Sequence, residues 1–222
     1  MAWPDFTDQQ TRVRDLLNES SAGYYTDAEI KRWLNDGERD VAIKGLCIES
    51  INSKSTVANT RTIATPYNKV LYIEYIPGSG TPIGLIKISP IHVGHVAVNG
   101  ITPQYWFTWG KKIGIEPIPT AVYTLNVYAS ILPTIEMSDT TDEPQIPTAF
   151  QLLPVRFAFI RGLLKSGKFQ KAAQIYQSYI SELQAGRDSI IGKYKDRIND
   201  TKVPDVTVSG NQEAGQAAGG QS

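Results

Sequence analysis

The sequence predicts an α+β fold. N-terminal and C-terminal helices form a helical bundle, and an antiparallel β-domain of about five or six strands is inserted between them. Three observations carry this expectation. Apolar residues recur at helical spacing at both ends of the chain. The middle alternates with period 2 and is rich in β-branched and aromatic residues. An acidic, proline-containing stretch separates that middle from the second helical region. The organisation read from these shifts is 1–49 helical hairpin, 50–135 β-domain, 136–149 acidic linker, 150–202 C-terminal helices packing with the N-terminal ones, and 203–222 flexible tail.

The first helix is expected from Thr7-Asp-Gln-Gln10, read as a capping box, followed by Val13, Leu16 and Leu17, with an end near Glu19 to Gly23. A stronger box, Thr26-Asp-Ala-Glu29, opens the second helix. Ile30, Trp33, Leu34, Gly37 and Val41 then follow at i, i+3, i+4, i+7 and i+11, and the helix should stop near Gly45. A short loop between two such helices makes an αα-hairpin. A DNA-reading helix-turn-helix is the alternative, and the acidic balance of this segment speaks against it, because phosphate contacts dominate affinity for DNA.

Thr56 to Thr65 has β character, and Val70 to Ile76 is the strongest strand signal. Ile83 to Ile88 reads as one further strand, then Ser89-Pro90 opens an irregular or helical passage to Val98, and Asn99-Gly100 is a turn. The central stretch, residues 103–129, reads as three strands in a row. Tyr105, Phe107 and Trp109 alternate with Trp106 and Thr108; Gly110 turns the chain; Ile113 and Ile115 resume the pattern; Pro117 and Pro119 end it; Tyr123, Leu125, Val127 and Ala129 form a third row. Beyond the linker, Phe150, Leu153, Phe157, Ile160 and Leu164 mark a helix with Pro154 near its first position. Lys165-Ser-Gly-Lys168 is a break. Phe169, Ala172, Ala173, Tyr176, Ile180 and Leu183 mark a last helix that Gly186 kinks or ends, with Ile190, Ile191, Tyr194 and Ile198 continuing the period. The tail from Pro204 onward holds no aromatic residue, buries too little to order alone, and could become an arm that orders on a partner.

Net charge is zero, yet the charges are segregated. Residues 1–49 hold 6 Lys/Arg and 10 Asp/Glu; 50–135 hold 6 and 2; 136–149 hold 0 and 4; 150–202 hold 10 and 4; 203–222 hold 0 and 2. Such a pattern favours docking of unlike faces, including those of identical copies. It offers little for general nucleic-acid binding, which goes with a basic excess. No apolar run reaches the roughly 20 residues of a membrane span. Met1 to Phe6 has no basic n-region or apolar h-region, so no signal peptide is expected. A single cysteine, Cys47, excludes an internal disulfide and reads as a buried small hydrophobe.

Each candidate for chemistry has a structural reading. His92 and His95 have a metal-compatible spacing but no third ligand nearby in sequence. Ser166-Gly167-Lys168 lacks the preceding glycine and strand of a phosphate loop and reads as a helix–helix turn. Gly78-Ser-Gly80 reads as a hairpin turn. The acidic residues at 136–143 lack the alternation and glycine of a calcium loop and read as a solvated linker. Trp106 and Trp109 could stack on bases or sugars, but aromatics in half-buried strands are more often core or interface. No catalytic residue, cofactor or metal is expected. Tyr105, Trp106, Trp109, Lys111 and Lys112 are the candidate interface.

The order of these motifs resembles the head-to-tail adaptor (connector) proteins of tailed bacteriophages, over about residues 7 to 200. The residues that carry it are Arg12-Val-Arg-Asp-Leu-Leu17, Tyr25-Thr-Asp-Ala-Glu-Ile30 with Trp33-Leu-Asn35, Val70-Leu-Tyr-Ile73, and Pro103-Gln-Tyr-Trp106. They continue through Gly110 to Pro119, Tyr123 to Tyr128 with Pro133, Ile146-Pro147 with Phe150, and the Lys168 to Leu183 helix. The resemblance implies a structural virion protein, made in the host cytoplasm and placed at the neck of the particle. It implies a homo-oligomeric ring, usually of twelve copies, that binds beneath the portal protein. The ring would extend the DNA channel without sequence-specific contacts and meet a downstream tail or nozzle protein. Pro204, Val206 and Val208 become a candidate portal-docking arm. The alternative is a nucleic-acid- or carbohydrate-binding module that uses the aromatic β-face.

Overall fold

The computed structural model describes residues 5–78, 80–96, 100–138 and 140–200, the side chains of 195–200 excepted. Helix α1 spans Phe6–Leu17 and α2 spans Asp27–Gly45. The Thr26/Glu29 box is present, each side chain bonding the other residue's backbone N–H. The start of α1 differs from expectation. Its N-cap is Asp5, which accepts from the Asp8 amide at 2.8 Å, while the Thr7 hydroxyl donates to the Thr140 carbonyl at 3.0 Å. An aspartate two residues upstream supplies the better acceptor, and a long-range partner takes Thr7 away from the helix end.

Helix α3 spans Leu153–Lys165, with Pro154 in its first turn, and α4 runs unbroken from Phe169 to Asp200. Gly186 does not end α4. It makes room for the Phe150 ring, whose Cε1 would lie 2.4 Å from a Cβ there. Helix α3 is the centre of the bundle. Its Val155 and Ala158 join Phe6, Val13, Ile30, Trp33 and Leu34 in one core; its Phe159, Ile160 and Leu163 join Val41, Ala172, Tyr179 and Leu183 in another. The two terminal helical regions therefore form one body, each burying the other's apolar stripe.

The inserted part has eight strands among the described residues, in two four-stranded sheets. They are β1 Glu49–Ser55, β2 Thr62–Ala64, β3 Lys69–Ile76, β4 Ile83–Gly84, β5 Ile86–Lys87, β6 Tyr105–Trp109, β7 Lys112–Glu116 and β8 Thr124–Ser130. The first sheet has the order β1-β8-β3-β4 and the second β2-β7-β6-β5. Their inner faces share one core containing Val70, Ile73, Leu85, Trp106, Ile113, Ile115, Leu125 and Val127.

Two features depart from the purely antiparallel expectation. The stretch Ile83 to Ile88 is not one strand. Its first half pairs with β3, its second half runs parallel to β6, and the buried Leu85 sits at the crossing. The Leu85 amide still donates to the Ile73 carbonyl (2.8 Å), and the next amide, Ile86, donates to Gln104 of the other sheet (3.0 Å). A strand that changes sheets is a corner of a two-sheet structure, and its parallel pairing follows from the direction in which it arrives. The stretch Thr56 to Thr65 also turns such a corner. Thr56 is buried and holds the 121–123 segment through its hydroxyl and amide, and only Thr62–Ala64 enters the second sheet.

The helical body and the β-body meet along α4. The Tyr194 ring packs edge-on against Tyr128 of β8, its hydroxyl donates to Glu49 of β1, and Lys193 pairs with the same carboxylate at 3.3 Å.

Candidate interaction surface

The β6–β7 hairpin was the sequence's strongest candidate, and its register decides what each residue can do. Tyr105 faces Glu116, Trp106 faces Ile115, Phe107 faces Gly114 and Trp109 faces Lys112. Strand alternation sends Trp106 into the shared core, where it is 1% exposed and Lys87 lies 5.0 Å above its ring. Trp106 is therefore a packing residue in this chain and presents no surface of its own. Phe107 points the opposite way and lies over Gly114, whose missing side chain leaves space for the ring. Tyr105 is half-buried.

The tip is different. Gly110 adopts φ 57°, a left-handed conformation that suits glycine, and closes the turn. The Thr65 amide donates to the Lys111 carbonyl at 2.9 Å and ties the tip to the strand beside it. Trp109 is 65% exposed there, with Lys111 and Lys112 exposed next to it. One exposed indole and two exposed lysines on a fixed turn make a small amphipathic patch. Trp109, Lys111 and Lys112 are brought together; Trp106 is not among them. Pro204, Val206 and Val208 lie outside the described residues.

The other sequence candidates resolve as follows. His92 closes a single 3-10 turn, Pro90–His92, and both His92 and His95 are exposed; no group of three metal-binding side chains exists among the described residues. Ser166 and Gly167 form the α3–α4 turn, with Gly167 at φ 74°. Cys47 is buried, and desolvation pushes its thiol up to about 12, far from the range of a nucleophile.

The acidic stretch 136–149 is more than a solvated linker. Met137 is buried, with both its amide and its carbonyl bonded to the Asn35 side chain (2.8 and 3.0 Å). The Phe6 amide donates to the Asp142 carbonyl at 2.8 Å. Glu38 of α2 is 1% exposed and accepts the Gln145 amide at 2.5 Å. The segment is a strap fastened to α1 and α2, and among the described residues it carries Glu136, Asp142 and Glu143 along the helical body. The sequence concealed this because its anchors, Asn35 and Glu38, sit about a hundred residues away and read as ordinary helix-surface polars.

Among the described residues, a helical body of four helices, an inserted two-sheet unit and a fastened acidic strap are thus present. A family model described as SU10 adaptor protein matches residues 4–204, which include both bodies and the strap. The chain belongs to the SU10 adaptor protein family. This is a phage head-to-tail adaptor family, as the order of the sequence motifs implied. No curated protein gives a significant match. As an SU10 adaptor protein, the chain is a phage structural adaptor. No helix among the described residues is long and apolar enough to cross a membrane.

Proposed function

We propose that the chain is the subunit of a ring, of about twelve copies, that docks beneath the portal at the head–tail junction. The ring extends the channel through which DNA leaves the capsid and offers its far side to the next tail component. The observation that carries this reading is the family match over residues 4–204, which covers every described element. Segregated charge supports it. Residues 1–49 and 136–149 carry a surplus of acid, 50–135 and 150–202 a surplus of base, so a cyclic head-to-tail contact can bring unlike surfaces together. Net neutrality suits a channel through which DNA slides, since strong phosphate contacts would retain it. The test is electron microscopy of the purified chain mixed with its portal protein. Rings seated on the portal are expected. A chain that remains monomeric with portal and is missing from purified virions would overturn the proposal.

A second reading keeps the aromatic tip as a nucleic-acid or carbohydrate contact, favoured by the exposure of Trp109 beside Lys111 and Lys112. It now rests on one indole, because Trp106 is in the core. A salt titration with single-stranded DNA decides the nucleic-acid version, which requires binding at low salt that fades as salt rises.

A further inference from the structure

We propose that strand β1 is the docking edge for residues 203–208 of a neighbouring copy, which add to the first sheet as an antiparallel strand. The inference rests on the ring reading above and names one contact within it. Strand β1 is the edge of the β1-β8-β3-β4 sheet among the described residues. Its seven pairs with β8 run without a register shift, and it contains no proline. Long, regular edges of this kind are templates for another strand.

The hydrogen-bond parity fixes which groups are offered. The Ile131 amide donates to the Ile48 carbonyl and the Thr56 amide to the Tyr123 carbonyl, so the ladder with β8 uses the even-numbered residues. The backbone N–H and C=O of Ile51, Ser53 and Ser55 consequently point away from β8. On the side-chain level, Ile51 lies on the outer face, 63% exposed, whereas Asn52 and Lys54 lie on the inner face beside Val127 and Leu125.

Val203-Pro-Asp-Val-Thr-Val208 complements this edge. It concentrates β-branched residues in an otherwise Gly-, Gln- and Ala-rich tail, and its six residues are one fewer than the seven of β1. In the antiparallel register that sets Val206 opposite Ser53, every neighbour is compatible. Val208 falls opposite Ile51 on the outer face, Thr207 opposite Asn52, and Asp205 opposite Lys54 on the inner face. Pro204 falls near the end of the pairing, where a missing N–H costs least.

A neighbour is the source because a heterologous ring contact sets the tail of one copy against the sheet edge of the next. Tyr194 and Lys193 fasten α4 at Glu49, with Tyr194 on the outer face of the sheet. Only Thr201 and Lys202 separate the end of α4 from Val203.

Disulfide trapping tests the contact. A Ser53→Cys chain is mixed with a differently tagged Val206→Cys chain under ring-forming conditions with portal, and oxidised mildly. Opposed residues in such a pair lie about 5.5 Å apart at Cα, within disulfide range. A disulfide joining the two tagged chains is expected, with Ile51→Cys replacing Ser53→Cys giving several-fold less. The doubly substituted chain alone should give linked multimers. An internal disulfide within one chain, a cross-link from Val206→Cys to the portal instead, or no cross-link would each overturn the proposal. Rings seen in the same samples without the cross-link leave the ring reading standing and remove the arm; absence of rings removes both. Ser53→Pro and deletion of 203–222 serve as blocking variants. Proline at 53 spares every bond to β8 and removes only the outward N–H, so ring yield should fall while the monomer's thermal midpoint stays within a few degrees.

Discussion

Glu38 shows how one side chain can organise a distant segment. It lies on α2, is 1% exposed, and accepts backbone amides of Gln145 and Ile146 more than a hundred residues later. Desolvation holds its carboxyl above the ordinary value of 4.5, against the pull of those amides. A raised folded-state pKa means that the folded chain holds the proton more tightly than the unfolded one. This contribution is therefore full below the unfolded value and is lost as pH rises through the folded value. Glu38→Gln removes the titration. Its stability relative to the natural chain should rise as pH is raised from 4.5 through the folded-state value, by urea unfolding at each pH; a flat or inverted difference would refute the protonation argument. Glu38→Ala leaves the Gln145 and Ile146 amides without this acceptor and should cost about 1–3 kcal/mol. Glu29 has the opposite sign. Its hydrogen bond to Lys165, then that to the Thr26 backbone, lower it to about 2, so its contribution is present at neutral pH and lost only as pH falls below 4.5 towards 2.

At the scale of elements, legibility in the sequence followed from how local the cause was. The Thr26 box, the α2 stripe and the β6–β7 hairpin were readable because capping and periodicity act within a few residues. Strand β1 was not, since Glu-Ser-Ile-Asn-Ser-Lys-Ser has no apolar row; it is an edge held by its backbone. Strands β4 and β5 were merged because Leu85 continues the alternation through a change of sheet. The candidate site was half legible: alternation separated Trp106 from Trp109, but which of the two faced the core depended on a second sheet that local pattern does not reveal. Two substitutions probe these elements. Gly114→Val would place a side chain where the Phe107 Cζ lies 2.1 Å from a Cβ; overpacking of about 2 kcal/mol or more is expected in denaturant melts. Thr26→Ala removes the cap of α2 and should cost about 1 kcal/mol. If the two losses were equal, the hairpin would be less tightly packed than its geometry indicates.

At the scale of the whole molecule, two bodies with separate cores must hold a fixed relation if the subunit is to form a ring of defined width. The chain crosses between them twice, after α2 and after β8, and the crossings are short: Ile131 donates to Ile48 at 2.9 Å, which clamps the exit to the entrance. A pair of adjacent crossings acts as a hinge unless a third point is fixed. The end of α4 supplies that point through Tyr194, whose ring meets Tyr128 and whose hydroxyl reaches Glu49. Tyr194→Ala should therefore loosen the relation of the bodies while leaving each core intact. The circular-dichroism spectrum should be preserved, and loss of a partly buried ring and its hydrogen bond should lower overall stability by about 1–2 kcal/mol. Amide exchange should accelerate selectively in β1 and in α4 beyond residue 186, with protection in α3 unchanged. Tyr194→Phe, which keeps the ring contact and loses the hydroxyl, should lie between the two. Uniform acceleration throughout the chain would mean that the bodies unfold as one, and that α4 is a structural extension and not a brace.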